Sequence, residues 1–547
     1  MTTRTRRPLR TLLAFVLVFL ITGGFASAFN AQAAYAATYA PISGSGSTWS
    51  KNALDQWRTN VTNNYGMTVN FNPTGSSAGR RDYIAGTVDY AVSEIPFQTS
   101  PEDGSAPERP TRGYAYMPVV AGGTAFMYNL KIGGKQVTNL RLGGETITKI
   151  FTGVIKNWND PQIVKDNPGL AMPDKPIVPV VRSDGSGSTA QFTLWMSKQF
   201  SSLWNAFCVS VGRASPCGLT SQYPGFGNAK LQSGSDGVAG YVKQGYGEGA
   251  ITYVEYSYAI NAKFPVAKVL NSAGYYVEPT APSVAVGLLS AKINTTVGSP
   301  DYLTQILDGV YNSTDARTYP LSSYSYMIVP TEVGGIFTAE KGKTLGAFTN
   351  YVLCEGQQQA STLGYSPLPM NLVLAGFDQI KRIPGADVSG VDINKCNNPT
   401  FKAGDSPSSN QLAVTAPQPA ACDKQGADQC TTGTGGAPAA TPVTGSGNGG
   451  TAAGAAAGTG AAAGSSATTA DSAAASGDAV YDENGALVSG ASALGGAVSS
   501  PFSLADPGFG GPQLIMLFAG VLVIVAVVLP PVLSRRLRRA GGKTPGQ

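Results

Sequence analysis

A long stretch near the C-terminus limits where this chain can fold. Residues 431–500 are nearly all Ala, Gly, Ser and Thr, with a short interruption at residues 480–484. Such a segment buries too little apolar surface to offset the conformational entropy lost on folding. We therefore predict one globular head over residues 38–401, followed by a flexible linker over 401–511 that contains two cysteines before its Ala/Gly/Ser/Thr-rich part. A mucin-like adhesive stalk is the alternative for that part.

Both ends of the chain indicate a relation to a membrane. Residues 1–36 place four arginines before the apolar run Leu12–Ile21 and small residues after it, which predicts a secretory signal peptide. An uncleaved N-terminal anchor is the alternative. Residues 514–532 form a nearly unbroken apolar run of 19 residues, about the length that crosses a bilayer. Because arginines follow this run, we predict a membrane helix over 513–533, a basic cytoplasmic tail over 534–547, and a single-pass protein of the cell membrane with its head outside.

The 547-residue chain contains no histidine. This excludes Ser-His-Asp triads, Cys-His pairs, His-ligated metals and imidazole acid–base chemistry, so we predict that the chain is not an enzyme. The sequence also lacks the D-x-[DN]-x-[DN]-G calcium pattern, and we predict no metal and no cofactor. Nine of the 38 basic side chains lie at the two ends, which leaves 29 against 33 acidic ones elsewhere. This balance argues against a nucleic-acid partner.

The six cysteines all lie in the part that we expect to be exported, and none forms a CxxC motif. Export favours disulfide bonds. Close spacing favours Cys208–Cys217 and Cys422–Cys430, which would leave Cys354–Cys396. Other pairings of six cysteines remain open on sequence grounds.

Within the head, strand-type and helix-type patterns alternate. Residues 177–181 form a short apolar strand candidate, and apolar residues at helical spacing follow over 192–200. Residues 68–71 and 88–92 are further strand candidates. This alternation predicts an α/β fold with mostly parallel sheets and ligand sites at the carboxyl ends of the strands. The length of the head suits two such lobes.

Three turns rich in Gly and Ser each precede a probable helix: residues 44–49, 75–79 and 182–189. A polar turn that opens a helix exposes backbone N–H groups beside the positive end of the helix dipole, which suits an oxyanion. Arg182 would add a fork of donors that fits a tetrahedral oxyanion. Ordinary helix caps are the alternative for each turn. A G-x-S-x-G nucleophile elbow over 75–79 is excluded because the chain has no histidine, and no phosphate-binding GxxxxGK[ST] loop occurs.

These turns, together with further motifs in the same order, resemble the phosphate-binding proteins of bacterial phosphate ABC importers. The matching segments are Gly44–Trp49, Gly75–Gly79, Ile150–Asp160, Asn167–Gly169, Arg182–Ser188, Gly249–Tyr256 and Leu363–Pro369. They keep the family's order from about Ser43 to Pro369, so the resemblance spans roughly two-thirds of the chain. The resemblance implies a two-lobed periplasmic-binding-protein (type II) fold with a hinge, to which this chain adds the C-terminal membrane anchor.

The resemblance also implies a set of ligand residues. They are the side chains of Thr48, Ser76, Arg182, Ser186 and Ser188 and the backbone N–H groups of Trp49 and Gly187. Asp184 would orient Arg182. Glu94 stands where the family has an Asp that accepts the proton of phosphate, and it is longer by one methylene, roughly 1.5 Å. Such a carboxylate admits a protonated oxyanion and repels sulfate; the alternative is that Glu94 points to solvent.

The implied architecture places the anion between two lobes, one formed by residues 38–123 plus 262–400 and the other by residues 124–261. We predict an extracellular, membrane-anchored protein that captures inorganic phosphate for an ABC-type importer. Its partners would be permease subunits with a cytoplasmic ATPase. The alternative is a cell-surface sensor of phosphate or another oxyanion, or an adhesion protein, that uses the same fold without transport.

Overall fold

The computed structural model describes residues 39–442, except 102, 103, 297, 298, 300, 301 and 303, and the short segments 480–481 and 487–489. The chain divides into two units, residues 1–452 and 453–547. In the second unit, Val480–Tyr481 pairs antiparallel with Leu487–Ser489. The predicted signal peptide, membrane helix and cytoplasmic tail lie outside the described residues, as does most of the predicted linker. Within the described ranges, no helix combines the length and apolar character needed to cross a membrane.

The first unit is built around one large mixed β-sheet with small sheets beside it. Its strands are β1 (Ile42–Gly46), β2 (Val69–Asn72), β3 (Tyr90–Ser93), β4 (Tyr114–Tyr128), β5 (Lys131–Ile132), β6 (Lys135–Gln136), β7 (Arg141–Leu142), β8 (Val178–Arg182), β9 (Lys230–Gln232), β10 (Ala250–Glu255), β11 (Lys268–Leu270), β12 (Tyr276–Val277), β13 (Lys292–Ile293), β14 (Gln305–Ile306) and β15 (Ser322–Pro330). The large sheet has the order β2-β1-β3-β15-β4-β10-β8-β9. The small sheets are β12-β11-β7, β13-β14 and β5-β6.

Helices alternate with these strands along the chain. They are α1 (Lys51–Tyr65), α2 (Ser76–Ile84), α3 (Gly144–Phe151), α4 (Pro161–Asp166), α5 (Gly187–Gln199), α6 (Ser201–Ser210), α7 (Gly234–Lys243), α8 (Tyr256–Ala262), α9 (Ala281–Leu288), α10 (Asp308–Tyr311), α11 (Ala339–Leu353), α12 (Met370–Ile380) and α13 (Gln411–Val414). Hydrogen bonds from capping side chains explain where several of these helices begin. The Asp160 side chain accepts the Gln162 N–H before α4, and Thr280 accepts the Ser283 N–H at the start of α9.

The large sheet combines parallel outer strands with antiparallel central ones. β1 pairs in parallel with β2 and β3, and β8 pairs in parallel with β9 and β10. β4 pairs antiparallel with β15 along its first part and with β10 over residues 124–128. The expectation of mostly parallel sheets is therefore only partly right, because the long strand that joins the two halves runs against its neighbours.

The two largest hydrophobic cores among the described residues flank this sheet. The first includes Trp57, Tyr90 and Phe348 and packs around β1, β3 and β15. The second includes Trp158 and Phe192 and packs around β8 and β10. Burying these aromatic side chains supplies much of the stability of each half. The predicted two-lobed α/β architecture is confirmed, with β4 passing from one lobe to the other.

The structure places the return of the chain to the first lobe later than residue 262. β11 joins β7 of the second lobe in parallel, and Val269 and Val277 are buried in the second core. Leu307 and Tyr311 pack there as well. The predicted lobe boundary at residue 262 is wrong, because the short apolar strands β11 and β12, which follow α8, complete a small sheet in the second lobe.

The predicted flexible linker also begins too early, because residues 401–442 pack against the globular unit. We call this segment the C-terminal strap. Phe401 is buried in the first core, and the Arg141 guanidinium donates to the carbonyls of Cys422 and Asp428 at 3.1 and 2.7 Å. The Asn139 amide donates to the Cys430 carbonyl at 2.7 Å. The strap is thus held to both lobes by apolar burial and backbone hydrogen bonds that its composition did not reveal.

We predict that the strap contributes to stability. A chain that ends after residue 442 should unfold at the same urea concentration as the full chain. A chain that ends after residue 410 should lose on the order of 3–6 kcal/mol of unfolding free energy, because several hydrogen bonds of about 1 kcal/mol each disappear. Urea titration followed by tryptophan fluorescence measures the difference. Equal midpoints for the two shortened chains would contradict a structural role for the strap.

The structure contains the disulfides Cys208–Cys217, Cys354–Cys396 and Cys422–Cys430. The first and third are the pairs that close spacing favours, and the second is the pair that this choice leaves. The first lies at the end of α6, the second joins α11 to the segment before the strap, and the third closes a loop within the strap.

Candidate functional site

Four helix N-termini meet between the two lobes. Three of them, those of α1, α2 and α5, follow the Gly/Ser-rich turns that the sequence indicates. The fourth is the N-terminus of α7, where the Gly234 N–H donates to Asp184 Oδ1 at 2.9 Å. Each N-terminus contributes N–H groups that have no partner within their own helix, together with the positive end of a dipole. These dipoles and the Arg182 guanidinium supply local positive charge, even though the chain without its two ends is net negative.

The site lies at the carboxyl ends of the strands. β1 leads into Ser47 and Thr48, β3 leads into Glu94, and β8 ends on Arg182. This is the edge at which α/β sheets present ligands with loops and helix N-termini. The residues that the resemblance implies thus lie at the edge where the sequence predicts a ligand site.

Arg182 lies at the centre of the site and is only 2% exposed. Its Nε donates to Asp184 Oδ1 at 2.7 Å, and its Nη2 pairs with Asp184 Oδ2. Burial alone would raise the pKa of Asp184, but the hydrogen bonds and charge of Arg182 hold that pKa below its ordinary value. The backbone N–H of Arg182 also donates to the Tyr253 hydroxyl, at 3.3 Å. Asp184 thus has the orienting position that the resemblance implies.

Thr48 connects the first lobe to the Arg182 side of the site. Its hydroxyl lies 2.9 Å from the Ser235 hydroxyl and accepts the Ser235 N–H at 3.2 Å. Arg182 Nη1 also donates to the Ser235 hydroxyl, at 3.4 Å. Next to Thr48, the Trp49 ring is buried edge-on against Tyr365, with 5.6 Å between the ring centroids. Ser235 is a site residue that sequence reasoning missed.

Glu94 points into the site and is 1% exposed, so the solvent-facing alternative is wrong. Its Oε1 accepts a hydrogen bond from Ser47, and its Oε2 accepts one from Ser76 at 2.6 Å. Burial raises the pKa of Glu94 above its ordinary value, although these hydrogen bonds and the charge of Arg182 oppose the change. Hydrogen bonds from two serines therefore fix the position of this buried carboxyl group in the site.

The first turn of α5 completes the site from the second lobe. Ser186 caps this helix by accepting the Thr189 N–H, and the Gly187 N–H donates to the Ser76 hydroxyl at 3.1 Å. A side chain at Gly187 would overlap the Glu94 carboxyl group. Among the residues that the structure describes, Ser188 has a buried hydroxyl without a hydrogen-bond partner. Such an unpartnered hydroxyl is expected where a ligand supplies the partner.

The lobes contact each other directly around these residues. The Ser77 N–H donates to the Gly185 carbonyl at 3.0 Å, and the Ser77 hydroxyl donates to that of Ser221 at 3.0 Å. Gly75 has φ +94°, and a Cβ there would lie 2.6 Å from Asp184 Oδ2. The residues that the resemblance implies are therefore brought together in a closed arrangement, with hydroxyl donors on Glu94 and the guanidinium donors of Arg182 on Asp184.

Glu255, at the end of β10, is a second buried carboxyl group near the site. It accepts the Ser257 N–H at 2.8 Å and is fully buried. Burial raises the pKa of Glu255 well above its ordinary value, although its hydrogen bonds lower it. The neighbouring Tyr365 hydroxyl donates to the Trp49 carbonyl at 2.6 Å. Glu255 therefore belongs to a polar cluster that links β10 to the turn before α1.

This cluster predicts a pH dependence of stability. The folded chain holds the Glu255 proton more tightly than the unfolded chain does, so unfolding releases it at pH values above the unfolded pKa. The stabilising contribution is complete below the unfolded pKa and is lost as pH rises through the folded pKa. Glutamine does not titrate, so Glu255→Gln should not lose stability as the pH rises. Between pH 5 and pH 9, the unfolding free energy of the variant relative to that of the wild type should therefore increase by at least about 1 kcal/mol.

Urea unfolding at several pH values tests this prediction. Glu248→Gln is the matched control, because the hydrogen bond from Lys175 lowers the pKa of Glu248 and its contribution stays constant above pH 5. A wild-type chain and a Glu255→Gln variant whose stabilities change in parallel over this range would contradict the assignment.

The donor set suits a small tetrahedral oxyanion and offers little to a metal ion. No group of three or more Asp, Glu or Cys side chains that could hold a metal occurs within the described ranges. Hydroxyl, amide and guanidinium donors can replace the water around an oxyanion, while one carboxyl group can accept or share a proton.

Comparison with known proteins agrees with this geometry. The family model described as PBP superfamily domain matches residues 31–355. The phosphate-binding protein PstS of Xylella fastidiosa (strain Temecula1) is 33% identical over 335 residues, which are 61% of this chain and 82% of that protein. PstS of Haemophilus influenzae is 30% identical over 340 residues, 61% of this chain and 90% of that protein.

A solved structure of an ancestral soluble variant of the human phosphate binding protein is also similar. It shares 17% identity with this chain at a TM-score of 0.48, and the match covers 63% of this chain and 99% of that one.

Proposed function

Because the chain belongs to the PBP superfamily and, within it, to the family of the PstS proteins, we propose that it captures inorganic phosphate between its two lobes. Family membership also confirms the prediction that the chain is a solute-binding protein and not an enzyme, since its relatives are named as binding proteins. The proposed ligand residues are those that the resemblance implies, with Glu94 as the acceptor of the phosphate proton.

One observation carries this proposal: the buried Glu94 carboxyl group lies between the lobes among hydroxyl and amide donors from the first turns of α2 and α5, beside the positive charge of Arg182. A phosphate ion has oxygens for these donors and a proton for the carboxylate. Sulfate lacks the proton at neutral pH and would meet the carboxylate as a like charge.

We further propose that the protein is extracellular and is anchored by a membrane helix over 513–533. In this proposal it passes phosphate to permease subunits with a cytoplasmic ATPase. The apolar run and the arginines after it support the anchor, and the PstS relatives support the importer. No feature of the described residues favours the alternative of a sensor or adhesion protein.

Phosphate uptake tests the proposal. Deleting the gene should lower the uptake of radiolabelled phosphate by phosphate-limited cells, and the full chain should restore it. A chain that ends after residue 442 should bind phosphate but be released into the medium. Unchanged uptake after deletion would contradict the importer role, and retention of the shortened chain on cells would contradict the anchor.

A further inference from the structure

Ser47 is a fully buried serine at the start of the first turn of the site, and its hydroxyl has two partners. It accepts the Ser50 N–H at 3.2 Å and donates to Glu94 Oε1. A serine hydroxyl has one proton. Because the backbone N–H can only donate, the Ser47 proton is free for Glu94, and the hydrogen-bond directions are fixed.

The other oxygen of Glu94 is held in the same way. Ser76 donates to Glu94 Oε2 at 2.6 Å and accepts the Gly187 N–H at 3.1 Å. The two serines come from different places, the end of β1 and the start of α2. Together they fix both the position and the plane of the carboxyl group, while each oxygen keeps acceptor capacity.

The two serines differ in what a bound anion would do to them. Ser76 is itself one of the proposed phosphate donors, so its proton can turn from Glu94 to the anion. Ser47 is outside that donor set, and its hydroxyl is committed to Ser50 and Glu94. When the anion is bound, Ser47 is therefore the serine that continues to hold the carboxyl group.

We propose that Ser47 is a positioning residue that aims the Glu94 carboxylate at the anion and thereby sets the preference for a protonated oxyanion, such as phosphate, over sulfate. This inference rests on the proposed function and names a determinant of its specificity. Ser47 acts through Glu94 and does not touch the ligand.

Ser47→Ala tests the inference through anion selectivity. We expect phosphate affinity to fall roughly tenfold, since a hydrogen bond to a charged group is lost. Sulfate affinity should stay the same or rise, because a mobile carboxylate repels sulfate less. The phosphate-to-sulfate affinity ratio should therefore fall at least about tenfold. Calorimetric titration of the full chain with phosphate, alone and in the presence of excess sulfate as a competitor, measures this ratio.

Ser45→Ala is the matched control. Ser45 is also buried in β1, but its hydroxyl donates to Asp82 Oδ2 at 2.7 Å and makes no contact with Glu94. This variant should keep the wild-type ratio. A fall of the same size in both variants would show a general effect of weakening this strand and would overturn the inference.

A double variant separates positioning from a structural role. In a Glu94→Gln background there is no carboxylate to aim, so adding Ser47→Ala should change phosphate affinity less than twofold. A further tenfold loss in that background would overturn the inference. If the wild type selects phosphate but Ser47→Ala keeps the same ratio, this inference alone fails. If the wild type prefers sulfate or binds neither anion, the proposed function fails and the inference fails with it.

Discussion

Replacing Arg182 with methionine should lower phosphate affinity roughly a hundredfold to ten-thousandfold, since two charge-assisted hydrogen bonds of about 1.5–3 kcal/mol each are lost. Arg182 is buried at the centre of the site, and Asp184 holds its guanidinium in place. Arg182→Lys should recover only part of the affinity, because lysine keeps the charge but lacks the planar fork of donors. Calorimetric titration of the full-length variants with phosphate measures both effects.

Arg81→Met is the control for the Arg182 variants. Arg81 lies on α2 near the site but is exposed, so its loss removes the same charge without removing a donor from the site. It should change phosphate affinity less than threefold at physiological salt, because solvent and ions screen an exposed charge. An Arg182→Met variant that binds phosphate as well as Arg81→Met does would contradict the proposed site.

Replacing Glu94 with glutamine should largely abolish the discrimination between phosphate and sulfate. The wild-type carboxylate accepts the phosphate proton and repels sulfate, and like-charge contact in a buried site costs several kcal/mol. With glutamine, phosphate loses its charged acceptor and sulfate loses its repulsion. We expect the affinity ratio to fall by about two orders of magnitude, which corresponds to roughly 2.8 kcal/mol.

The pH dependence of sulfate binding gives an independent readout of Glu94. Because sulfate brings no proton, it can bind beside Glu94 only when Glu94 takes one up. Wild-type sulfate affinity should rise as pH falls from 8 to 5, by at most about tenfold per pH unit. Glu94→Gln should show no such rise. Asp236→Asn, which removes an exposed acid at the start of α7, should behave as the wild type.

Equal sulfate affinities at pH 8 and pH 5 in the wild type would show that Glu94 takes no part in recognising the anion. Burial raises the pKa of Glu94 above its ordinary value, so this carboxyl group takes up a proton at a higher pH than an exposed glutamate does.

Much of the site can be predicted from the sequence because its donors lie on local patterns. A short polar turn after a strand and before a helix fixes where N–H groups point, whatever the rest of the fold does. Thr48, Ser76 and Arg182 all lie on such turns, and the structure brings them together. The signal at Ser235 is of the same kind, because Ser233 precedes α7 and Gly234 begins it in a fourth polar turn. Treating that turn as a fourth ligand-binding turn would have identified Ser235.

Other features depend on contacts between distant parts of the chain. The partner of Ser47 is Glu94, 47 residues away, and no local pattern pairs them. Glu255 is buried next to Gly122 of β4, where the Trp49 ring also packs. The strap has few apolar residues, and its attachment depends on hydrogen bonds to Arg141 and Asn139 in the second lobe. The amino-acid composition of a segment indicates how much of it is buried on average. It does not show which residues make such contacts.

Calorimetric titration of the full chain with phosphate and with sulfate at pH 7 tests the central claim most directly. The chain would be purified in detergent, and any phosphate carried through purification would first be removed by partial unfolding and dialysis. We predict tight phosphate binding with no measurable heat from sulfate, because Glu94 accepts a proton that only phosphate supplies. Absence of phosphate binding, or equal binding of the two anions, would contradict the account.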